Sequence, residues 1–259
     1  MGVDDLDNTP RAGVPLLPPI SSVPAALSFR SVATLGDWLM PESSTTRVYV
    51  ESGRSRVFVC ALDWPGWCRS GKTEELALEQ LAAYAPRYAR VVQEAGLPVP
   101  AGWAEKHEIV ERLTGNATTD FGAPAAIAKA DREPLNEAEA ARLTDLVGAA
   151  WHTFDRVVSS APNELREGPR GGGRDRDRMV GHVFGAEAGY SRQIGVRHAE
   201  PEPTDRSEVA AFRARILTAL RAGRSGEPST EKGWPVRYAA RRIAWHVLDH
   251  AWEIEDRTI

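Results

Sequence analysis

From Pro134 onward the chain carries four successive segments in which apolar residues return every three or four positions. That periodicity constrains the fold more than any other feature, because it is the signature of amphipathic α-helices. The first predicted helix runs from Asn136 to about Ser159. The second covers about Arg174 to Gly195, after the glycine run Gly171 to Gly173, which reads as a flexible linker. The third covers about Asp205 to Ala222 and the fourth Pro235 to Arg257. Pro235 suits a first helical turn, where its missing N–H costs nothing. Each such helix has an apolar stripe that it cannot bury alone, so four in about 120 residues predict a four-helix bundle.

Upstream the period changes from 3.6 to 2. Arg47-Val48-Tyr49-Val50-Glu51 alternates, Ser52-Gly53-Arg54 turns, and Arg56 to Leu62 follows as a second apolar run. This predicts a β-hairpin. Asp63-Trp64-Pro65-Gly66-Trp67 then breaks the strand with turn chemistry. Thr73 is placed as an N-cap, with Glu74 and Glu75 favourably set against the helix dipole. A helix follows toward Pro86 and continues from Tyr88 to Glu94, and His107 to Leu113 predict a further strand. Residues 115–135 lack periodicity. Pro10, Pro15, Pro18, Pro19 and Pro24 keep the N-terminus out of regular structure. The expected class is α+β: an extended segment over residues 1–45, a small α+β domain over 46–131 and a helical bundle over 132–259.

The bulk numbers exclude several function classes. A net charge of −4, with no dominant basic patch, argues against nucleic acid as a partner. No apolar run approaches about 18 residues, which argues against a membrane span. The first residues, Met1-Gly2-Val3-Asp4-Asp5, are acidic where a secretory signal would be basic, so a cytoplasmic location is expected. Cys60 and Cys68 do not make a disulfide framework, and Cys68 reads as an inert thiol because no His or cationic cluster adjoins it. A homodimer is left open.

Six histidines occur in the chain, and three fall in two of the predicted helices. His246 and His250, in Trp245-His246-Val247-Leu248-Asp249-His250, are about one turn apart and point the same way. In the last helix Val236, Ala239, Ile243, Val247 and Ile254 form the apolar stripe; His250 falls within it and His246 at its edge. In the second helix His182 and Glu187 flank the stripe of Met179, Val183, Ala186, Tyr190 and Ile194. Three imidazoles converging between helices would make an open metal site. The bland alternative is that each is a hydrogen-bonded core histidine. His152 lies in the first predicted helix, His107 in the small domain and His198 in a loop; these are weaker ligand candidates.

Gly181-His182-Val183-Phe184-Gly185-Ala186-Glu187, together with Ala244 to Glu253 in the last helix, resembles the DinB-like superfamily. The resemblance covers about residues 135–259. It implies an up-down-down-up four-helix bundle holding a divalent metal through His182, His246 and His250. The superfamily includes metal-dependent thiol transferases and maleylpyruvate isomerases, so a small molecule or a low-molecular-weight thiol is the implied substrate. Arg56 to Cys68, followed by Ser70-Gly71-Lys72-Thr73-Glu74-Glu75-Leu76, resembles the HicB-like unit, in which a hairpin leads through a glycine-rich turn into a helix. No DNA-binding module follows it, so antitoxin function is not carried over.

Three neutral imidazoles suit zinc, nickel or iron, and the sequence does not choose among them. Glu187 is the candidate catalytic base, with a salt bridge to an arginine as its bland reading. Asp249 and Glu253 are candidates for accepting imidazole N–H groups, or else for solvated ion pairs with Arg241 and Arg242. Trp151, Trp245 and Trp252 could wall a pocket or fill core; Trp64 and Trp67 could cover the bundle opening or a domain interface. Two readings follow: a metal-dependent transferase or hydrolase, or a non-catalytic binding or scaffold protein whose HicB-like domain recognises a partner.

Overall fold

The computed structural model describes residues 45–168 and 173–258. The expected N-terminal segment, apart from Thr45, and most of the glycine run lie outside the described residues. The described residues form a mixed α+β structure, with one four-stranded sheet followed by long helices.

Strands β1 (Thr45–Ser52) and β2 (Val57–Ala61) form the expected hairpin, with Val50 opposite Val59. A short β3 (Cys68–Gly71), absent from the sequence reading, pairs antiparallel with β2 and sets Cys60 opposite Cys68. Those two cysteines are joined as a disulfide, which corrects the free-thiol reading. β4 (Lys106–Thr114) runs parallel to β1, with Val110 bulged out where the register shifts. The strand order is β3-β2-β1-β4.

Thr73 caps α1 (Glu74–Ala83) by accepting from the Leu76 N–H. The expected continuation is a separate helix, α2 (Ala85–Glu94), because the chain restarts at Tyr84 and places Pro86 in a first turn, where it is tolerated. A short α3 (Ala117–Phe121) has Asn116 as its N-cap. The four long helices follow: α4 (Glu137–Ser160), α5 (Arg176–Gln193), α6 (Arg206–Ala222) and α7 (Val236–Arg257). Asn136 and Glu139 close a capping box at α4, and Asp205 caps α6. α4 packs on α6 and α7, and α5 packs on α7.

The line expected between residues 131 and 132 is not a break in packing. One core takes Val48, Trp64 and Tyr88 from before it and Leu146, Ile216 and Leu248 from after it. Trp64 and Trp67 do not cover an opening; both are buried, in an aromatic cluster with Tyr88 and Trp103. Trp67 Nε1 donates to the Leu81 carbonyl, and the Tyr88 hydroxyl donates to the Pro65 carbonyl. Gly66 between the tryptophans has φ of 95°, and a Cβ there would meet Leu248 Cδ1 at 2.7 Å. The turn therefore lies directly against α7.

α7 is buried on more than its apolar stripe. Arg241 and Arg242 were expected on a solvated face, yet both are buried. Arg241 donates to both Asp131 carboxylate oxygens and to the Tyr49 hydroxyl. Arg242 donates to the Pro124 carbonyl. The loop carrying Pro124 is fixed by Glu51, which is fully buried and accepts from Thr119 Oγ1 and from the N–H groups of Ala125 and Ala126. Burying those charges is tolerable because Arg241 is paired with Asp131 while Arg242 and Glu51 are hydrogen-bonded to backbone and hydroxyl groups.

Candidate metal centre

α5 and α7 bring His182, His246 and His250 together. One ligand-capable atom from each lies within 4.8 Å of the others. Among the described residues this is the only group of three or more His, Cys, Asp or Glu side chains with that proximity. His246 Nε2 and His182 Nε2 are 3.3 Å apart. The rings of His246 and His250 are 4.7 Å apart, and those of His182 and His250 5.0 Å apart.

Local helix geometry places the pair, since four residues advance about one turn. Tertiary packing decides their burial. His246, expected at the stripe's edge, is the more buried of the two, and His250 retains some exposure. The His250 Nδ1 faces Glu253 Oε2 at 3.1 Å, so its Nε2 is left for the cluster. Glu253 also accepts from Arg257, and the charges around it hold its carboxyl below the usual range, the contact with His250 foremost. Of the two expected acceptors Glu253 takes that role; Asp249 instead pairs with Arg69 of β3 at 2.8 Å.

Burial, reinforced by the neighbouring His250, lowers the His182 pKa and drives that of His246 well below its ordinary 6.5. Both imidazoles are therefore neutral near pH 7, the form that binds metals. His246 Nδ1 is buried with no hydrogen-bond partner. A core histidine would normally have one. Tyr190 stands edge-on to His246 at 5.6 Å, and Arg242 lies 4.8 Å over Trp245 and 5.3 Å over Tyr190.

The other candidates lie elsewhere. Glu187 is about 140° around α5 from His182, at about 100° per residue. It is buried, accepts from Trp151 Nε1 at 2.5 Å and pairs with Arg213 at 3.7 Å. This is the arginine-paired environment, and it does not bring Glu187 to the histidines. Burial outweighs the nearby Arg213 and lifts its carboxyl from 4.5 to about 7. His152 is exposed beside Glu94, His107 is on β4 against Trp67, and His198 Nδ1 contacts the Ala199 carbonyl. Trp245 packs edge-on to Phe58 in a second core cluster, and Trp252 packs against Tyr84. The sequence reading missed the wall formed by Tyr190 and Arg242. Tyr190 was legible only as part of the α5 stripe.

Comparison with known proteins gives no match: no family model, curated protein or solved structure matches the chain.

Proposed function

We propose that the chain is a divalent-metal-dependent protein of DinB-like type, a transferase or hydrolase acting on a small molecule or a low-molecular-weight thiol, with His182, His246 and His250 as ligands. The observation that carries the reading is the 3.3 Å approach of the His182 and His246 Nε2 atoms, with the third imidazole beside them. Two ligands at about 2.0–2.1 Å from one ion, about 109° apart, stand about 3.3–3.4 Å from each other. The packing of His246 supports the same reading, because its ring meets other imidazoles instead of hydrogen-bonding to the fold.

The order of the ligands also fits. His182 is on the second of the four long helices and the pair is on the last. An up-down-down-up bundle would bring those two helices side by side, and α5 does pack on α7. The unit from β1 to β4 would be the HicB-like part, with its hairpin fixed against α7 by the Trp64–Trp67 turn. When bound, such an ion would supply Lewis-acid activation of a water or thiol at a coordination position that the protein leaves open. The residues' own work is to hold the three nitrogens in place: Glu253 orients His250, and Tyr190 packs edge-on against the buried His246.

The test is a titration of chelator-treated protein with zinc, nickel and cobalt, followed by calorimetry and the visible spectrum of cobalt. About one equivalent should bind the intact chain, and His246→Ala should abolish binding while keeping the far-UV circular dichroism. Equal binding by wild type and His246→Ala, or none by either, overturns the proposal. Metal-dependent turnover of a thiol-conjugate panel then separates an enzyme from a scaffold.

A further inference from the structure

We infer that the cleft bounded by α4, α5 and α6 is a second binding site, for an organic anion with an aromatic or branched apolar body. The cleft measures about 740 Å³, and its walls include Trp151, Phe154, Phe184, Val209 and Leu217. That is within the roughly 300–1,000 Å³ of small-molecule sites, which combine apolar walls with a few placed polar groups. The opening has a simple origin: α6 packs on α4 while α5 packs on α7, and α5 and α6 hardly pack on each other.

The polar group is Arg213, which lines the cleft with its side chain only 9% exposed. Its guanidinium is 5.2 Å from the ring centres of both Trp151 and Phe184. Nη1 donates to Asp155 Oδ2 at 2.7 Å. Nε faces Glu187 Oε2 at 3.7 Å, too far for a hydrogen bond, and Nε, Nη2 and Glu187 Oε2 have no hydrogen-bond partner. Buried donors left unspent beside an apolar cleft favour a ligand acceptor, and a guanidinium best suits a planar carboxylate. Asp155 is half-exposed, so an incoming carboxylate exchanges for it while the displaced side chain enters solvent. Arg156 and Arg206 at the rim add positive charge against Asp155 and Glu187, and His152 also lines the rim.

The site is independent of the histidine cluster. His182 is about 160° around α5 from both Val180 and Phe184, which line the cleft, at about 100° per residue.

The probes are 2-naphthoate and its neutral counterpart 2-naphthylmethanol, titrated into the full chain by ligand-observed NMR and calorimetry. Naphthoate should saturate at about millimolar Kd or tighter and bind at least about tenfold better than the alcohol. Ala210→Trp, at an exposed α6 position lining the cleft, should weaken naphthoate at least tenfold with an unchanged thermal melt. Ala214→Trp, one turn on, gives the same reading should the first variant melt early. Arg213→Gln should erase the preference for the carboxylate, and His246→Ala should leave binding unchanged. Absence of saturable binding, equal affinity for the alcohol, insensitivity to both tryptophan variants, or loss in His246→Ala each overturns the inference. Failure of the metal titration leaves these outcomes untouched.

Discussion

Glu187→Gln should make the protein more resistant to alkaline loss of stability. Below about pH 4.5 the Glu187 carboxyl is protonated in both the folded and unfolded chain. Between 4.5 and about 7 the unfolded chain releases the proton while burial makes the folded chain keep it. The folded state then binds more protons, so stability falls as pH rises through that window. The gap between 4.5 and about 7 corresponds to roughly 3 kcal/mol, at about 1.4 kcal/mol per pH unit. The substituted amide would be uncharged throughout and would keep an oxygen to accept from Trp151 Nε1. The depressed pKa values of His246 and His182 act the other way, costing stability as pH falls below 6.5, but they are common to both proteins and cancel in the difference. Urea unfolding by circular dichroism should therefore show the variant gaining on wild type by roughly 2–3 kcal/mol between pH 5 and pH 8. A difference that stays flat or runs the opposite way would refute the argument that burial, rather than Arg213, governs this carboxyl.

Glu253→Gln removes the charge facing His250 Nδ1 and should weaken zinc binding about 10- to 100-fold, read by competition with a chromogenic chelator; undiminished affinity would remove Glu253 from the site. Gly66→Ala places a Cβ at positive φ and against Leu248, and should cost about 2–4 kcal/mol in urea unfolding, whereas a neutral result would mean that the turn does not press on α7. Asp131→Ala leaves Arg241 buried with only Tyr49 as a partner and should cost about 3–5 kcal/mol, while adding Arg241→Met should recover much of the loss; no recovery in the double variant would mean that the cost is not an unpaired charge.

Helical periodicity, capping residues and the i,i+4 histidine spacing are local properties, and they placed α4 to α7 within a few residues of their ends. The hairpin was legible for the same reason, through alternation, and β4 was expected to within a residue of its ends. β3 was not: Cys68-Arg69-Ser70-Gly71 has no apolar pattern, and it is a strand only because β2 offers a free backbone edge. The split of the expected helix at Tyr84 was half-visible in Pro86.

Which charges are buried is a property of neighbours distant in sequence. Arg241 is buried because Asp131 and Tyr49, 110 and 192 residues away, meet it. Glu187 leaves solvent because Trp151 and Arg213 enclose it from two other helices. By itself the sequence determined the four long helices and their approximate ends, the β1–β2 hairpin and the shared face of His246 and His250, since these follow from backbone repeats a few residues long. Tertiary structure alone decided that His182, 64 residues before His246, comes within 3.3 Å of it, and that Glu187 does not join them. Such distances depend on how α5 settles on α7, which is set by side-chain packing summed over the whole core and encoded in no single segment.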